Sequence, residues 1–156
     1  MKKQLLPILA LALMLALLAG CGEAADPGFD AVADAVKAAV GTEDMAEQDA
    51  AYIAGMIKLE SGSYEDALLM KTNVGTASDE FGLFKGKDEA QAEAIHAAIE
   101  DYLQRSLDGF LPYHPEELPK LQNAKIYTEG SYVLYTVLDE ETKAAVSAAF
   151  TSCFEG

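Results

Sequence analysis

The chain has 156 residues and carries 26 Asp+Glu against 11 Lys+Arg, a formal charge of −15. A surface that acidic repels phosphate backbones and anionic headgroups, which excludes nucleic-acid binding and purely electrostatic docking on a membrane. The length suits a single domain, and its scattered carboxylates either keep it soluble or draw in cations and basic partners.

Lys2 and Lys3 precede an almost unbroken apolar run from Leu5 to Ala19, interrupted only by Pro7. This is the charged start and apolar middle of a signal peptide, and the run is shorter than the roughly 20 residues a spanning helix needs. Leu18-Ala19-Gly20-Cys21 resembles the lipobox of bacterial lipoproteins. That resemblance implies removal of residues 1–20, a diacylglycerol on the Cys21 sulfur, and palmitate-like chains that hold the protein at a membrane. One acyl chain holds only marginally, at about 0.8 kcal/mol per buried CH₂, whereas two or more anchor stably. The competing reading is an ordinary secretory signal with a chance cysteine. Without Lys2 and Lys3 the balance is 9 basic to 26 acidic residues, or −17.

Residues 21–27 read as a tether of at most about 20 Å, at roughly 3.3–3.6 Å per residue. Residues 28–156 read as one α+β domain. Asp26-Pro27 signals a helix start, and Phe29, Val32, Ala33, Val36 and Val40 recur at helical spacing until Gly41. Thr42 to Lys58 reads as a second, shorter helix through Met45, Ile53, Met56 and Ile57, weakened by Gly55. Tyr64 to Thr72 and Glu80 to Lys85 read as strands of an antiparallel hairpin. The clearest helix follows, opened by a capping box at Asp88 and Gln91, with Ile95, Ile99, Tyr102, Leu103 and Leu107 on one stripe. Pro112, Pro115 and Pro119 preclude a long regular element after it, though Pro115 to Leu118 suits one helical turn. Asn123 to Thr128 and Ser131 to Leu138 form a second hairpin around Glu129-Gly130, the latter apolar enough on both faces for a central strand. Asp139 caps a last helix through Phe150. The expected fold is a small antiparallel sheet of about four strands, in two hairpins, with helices packed on one face.

Several local patterns together resemble domain of unknown function 4358, found in small lipoproteins of Gram-positive bacteria related to clostridia. They are Cys21 in its lipobox, Ser78-Asp79-Glu80-Phe81-Gly82-Leu83-Phe84-Lys85, Phe110-Leu111-Pro112-Tyr113-His114-Pro115-Glu116-Glu117-Leu118, and Leu121-Gln122-Asn123-Ala124 leading to Gly130-Ser131-Tyr132-Val133. The resemblance implies an α+β domain outside the cytoplasmic membrane of a single-membrane cell, and brings no activity or cofactor with it.

Catalytic signatures are missing from the sequence: no Gly-x-Ser-x-Gly, His-Glu-x-x-His, Cys-x-x-Cys, glycine-rich phosphate loop or calcium loop occurs. The sequence therefore points to no catalytic residue, metal ligand or cofactor. His96, with Glu93 and Glu100 at −3 and +4, reads as a solvent-side trio on the long helix. Cys153, left alone by a lipidated Cys21, is either a small buried apolar group or a free thiol. The leading expectation is a non-enzymatic, membrane-anchored binding or accessory module whose partner is an envelope protein or cell-wall ligand. Its contact surface comprises Tyr113, His114, Glu116, Glu117, Tyr127 and Tyr132, since aromatic side chains bury much area at low entropic cost. One alternative is a cell-envelope hydrolase using His114 with Glu116 or Glu117; another is a weak divalent-cation binder.

Overall fold

The structure is a computed structural model that describes residues 26–75, 77–110 and 114–155. Helix α1 (Phe29–Val40) leads into a short strand β1 (Met45–Glu47) and helix α2 (Ala50–Met56). Strands β2 (Asp66–Thr72) and β3 (Glu80–Lys85) come next, then the long helix α3 (Glu89–Phe110). A 3₁₀ turn at Pro115–Glu117 runs into α4 (Leu118–Gln122), and β4 (Lys125–Glu129), β5 (Tyr132–Val137) and α5 (Glu140–Ser152) complete the described chain. All strand pairs are antiparallel, in the order β1-β2-β3-β5-β4.

The fold is α+β, and both expected hairpins are present. The sheet has five strands because Met45 to Glu47, read as helix, instead pairs with Met70 to Thr72. Asp49 ends that extended stretch and starts α2 by accepting from the Tyr52 amide at 2.8 Å, so local capping divides a segment whose apolar spacing is helical throughout. Gly28, with φ +83°, takes the cap position of α1 in place of Asp26.

Helices cover both faces of the sheet rather than one. Ile53 and Ile57, together with Ile95, Ile99 and Tyr102 of α3, pack on the face formed by Leu69, Phe84, Val133 and Tyr135. Val32 and Val36 of α1 and Val146 and Phe150 of α5 pack on the opposite face, against Leu68, Phe81, Leu83 and Leu134. The reason lies in the strands: β3 carries Phe81 and Leu83 on one face and Phe84 on the other, and β5 is apolar on both faces, so side chains on opposite faces all need cover. Among the described residues, no helix is long and apolar enough to cross a membrane.

Candidate functional site

Lys71 and Glu80 stand directly opposite each other in the β2–β3 ladder. Glu80 is 2 % exposed, and three donors converge on its carboxylate: Lys71 Nζ at 2.6 Å, Tyr102 Oη at 3.0 Å and Tyr135 Oη at 2.5 Å. Each comes from a different element. Tyr135 reaches Glu80 because its ring lies across Gly82, its ladder partner; a Cβ there would meet Tyr135 Cε1 at 2.3 Å. Burial pushes both tyrosine hydroxyls above their ordinary range, and the nearby Glu80 charge pushes further the same way. Burial opposes the Lys71 charge, but attraction to Glu80 outweighs it and raises Lys71. A cavity of about 20 Å³ adjoins this cluster, bordered by Ser78 and Ser106, which is room for one water.

Glu117 closes the same end of the sheet. Its Oε2 accepts from the Ser78 amide at 2.9 Å and the Ser78 hydroxyl at 2.8 Å, while Lys120 Nζ bridges Asp79 at 2.8 Å and Glu117 at 3.1 Å. Burial would raise the Glu117 carboxyl, but these donors together hold it below its usual value. Glu117 thereby ties the turn after α3 to the strand that starts at Glu80. Of the other residues expected on the contact surface, His114 is half-buried with Nδ1 at 3.4 Å from Glu116 Oε1, and Glu116 is exposed. Tyr113 lies outside the described residues, as does Cys21 with the rest of the lipobox. The His114–Glu116 pair and the Glu117 carboxylate thus serve different neighbours.

Tyr132 is not a surface aromatic. It is 2 % exposed, with its ring edge-on to Phe154 at 5.2 Å and its hydroxyl donating to Asp26 Oδ1 at 2.6 Å. Burial, then the hydrogen bond to Asp26, pushes its hydroxyl up to about 12. Asp26 also accepts from Lys85 Nζ at 2.5 Å and the Gly28 amide at 2.9 Å, and the Lys85 bond leads in lowering its carboxyl to about 2. Tyr127 is half-buried against the α1–α5 core. β5 is buried on both faces, so Tyr132 is covered wherever it points.

His96 keeps one expected neighbour and gains another. Its Nε2 is 3.6 Å from Glu100, the expected pair one turn on, and its Nδ1 is also 3.1 Å from Thr128 Oγ1, so the half-exposed ring reaches β4 as well. Among the described residues no group of three or more His, Cys, Asp or Glu side chains could hold a metal ion. Cys153 is half-buried beside the α1–α5 core with Sγ donating to the Ala149 carbonyl at 3.3 Å.

The Glu80 cluster was not foreseen in the sequence. Its one local signal is a charged residue and a glycine inside an otherwise apolar strand, Glu80-Phe81-Gly82-Leu83-Phe84. What the cluster offers chemically is mutual satisfaction: each oxygen of Glu80 already accepts, so the group joins β2, β3, β5 and α3 at one point. No curated protein and no solved structure matches the chain. Residues 38–138, more than half of its length, match the family described as Domain of unknown function (DUF4358), and the chain belongs to that family.

Proposed function

We propose that this protein is a lipid-anchored, extracytoplasmic binding or accessory module, attached to the membrane through diacylglycerol on Cys21. The observation that carries this reading is the clamp on Asp26. Five residues after Cys21 the chain is already held by Lys85 and Tyr132, so no more than about 18 Å of extended backbone separates lipid from sheet. A short tether of this kind suits a domain that works close to the bilayer on a partner in the envelope. The Glu80 and Glu117 carboxylates support a non-enzymatic role, because each is committed to donors from other elements. His114 and Glu116 form the adjoining contact surface.

Anchoring is tested by growing cells on a clickable palmitate analogue. The full-length protein should take up label and sediment with membranes, and Cys21→Ser should lose both properties. Label retained by that variant would end the reading. A photo-crosslinking residue at position 116 should then capture a discrete envelope partner from intact cells.

A further inference from the structure

The 3₁₀ turn and α4 run without a break from Pro115 to Gln122 and cover the Glu80 cluster. Leu121, 7 % exposed, is the side chain this segment sets against the small cavity beside Glu80, whose other walls include Ser78, Tyr102, Ser106 and Val137. The cluster itself does not need the cover. Lys71, Tyr102 and Tyr135, the three donors to Glu80, belong to β2, α3 and β5. Lifting the segment would therefore strand no buried charge; Leu121 would lose its burial, and the Ser78 amide and hydroxyl would turn from Glu117 to water.

The segment is also weak on its own. Pro115 and Pro119 bring no amide donor, and α4 has five residues, far below the roughly 12–15 at which a helix stands alone. Among the described residues, its side-chain hydrogen bonds to the sheet end run from Glu117 to Ser78 and from Lys120 to Asp79. The Glu117 and Lys120 side chains are 14 % and 26 % exposed, so water reaches this latch. The far end is pinned from within: Lys143, 3 % exposed, donates to the Asn123 carbonyl at 2.6 Å, at the C-cap of α4. We propose that Pro115–Gln122 is a hinged lid, which swings about Asn123 when the Glu117 and Lys120 contacts release. Its opening turns the one-water cavity at Glu80 into a solvent-filled polar pocket while the sheet stays folded. The lid is a property of the fold alone, independent of the lipid on Cys21 and of any partner at His114 and Glu116.

The test uses the full-length protein carrying Val137→Cys, in detergent micelles, with iodoacetamide as probe and labelling read by peptide mass spectrometry. Val137 is the ladder partner of Glu80 on β5, is 2 % exposed and lines the cavity, so a thiol there reacts when the cover lifts. The opening equilibrium obtained from labelling should exceed that from β5 amide exchange by about a hundredfold or more, and should change little with urea below the unfolding midpoint. Glu117→Gln, which keeps the shape and removes the charge, should speed labelling about tenfold. Lys120→Gln should act in the same direction. Exchange in β3 and β5, and labelling of Cys153 beside the opposite core, should stay as in the parent. Labelling that tracks global unfolding, or that ignores both latch variants, would overturn the proposal; so would a gain matched by equally faster exchange in β3 and β5. Should Val137→Cys not fold, the same comparison is made in the parent chain and the latch variants, from exchange of the Leu118, Asn123 and Ala124 amides against β5.

Discussion

Gly82 shows how one residue's missing side chain sets a cluster. The Tyr135 ring occupies the space above it, and Phe84 would meet an added Cβ at 2.9 Å. Because the Tyr135 hydroxyl is tied to Glu80, the ring has nowhere to move without releasing that carboxylate. Overpacking of a closed core costs about 1–3 kcal/mol, and a disturbed buried hydrogen bond adds to it. Gly82→Ala should therefore lower the urea midpoint by the equivalent of about 2 kcal/mol or more with an unchanged slope. A midpoint equal to the parent would mean that Tyr135 swings aside at no cost.

At the scale of elements, α3 illustrates a local signal that survives into the fold. Asp88 accepts from the Gln91 amide at 2.8 Å, and Gln91 Oε1 accepts in turn from the Lys87 amide, one residue before the cap, at 2.8 Å. Both bonds depend only on residues within one helical turn, which is why the capping box was legible without the fold. Asp88→Ala should cost about 1 kcal/mol, read as a lower melting temperature with the same helical signal at 20 °C in circular dichroism. Asp49 tells the reverse story. Its cap was hidden because Met45, Ile53, Met56 and Ile57 keep helical spacing across it, and only pairing with β2 decides that Met45 to Glu47 is extended.

Across the whole molecule, the start of the domain is held by contacts up to 106 residues away in sequence, from Asp26 to Tyr132. The Asp26 carboxyl lies at about 2 in the folded protein against 3.8 for the free group. A lowered folded value means that the contribution is complete above about pH 4 and is lost as the pH falls towards 2. The Asp26 side chain is 53 % exposed, so solvent screening keeps the contribution below about 1 kcal/mol. The melting difference between parent and Asp26→Asn should be constant from neutral pH to about 4 and vanish near pH 2. A difference that persists at pH 2 would mean that the Asp26 carboxylate does not hold this end of the domain to Lys85 and Tyr132.

Element identity was readable wherever the controlling interactions are local: the stripe and cap of α3, the turn at Gly130 and the cap at Asp139 all follow from neighbours in the chain. The family was readable too, from short motifs spread between Ser78 and Val133. Burial was decided by the tertiary structure. Whether Tyr132 is a surface aromatic or a clamp on Asp26, whether helices lie on one face or two, and whether Glu80 is solvated or surrounded all depend on contacts far apart in sequence. Periodicity reports which way a side chain points; what waits on that side is set by the packing of the rest of the chain.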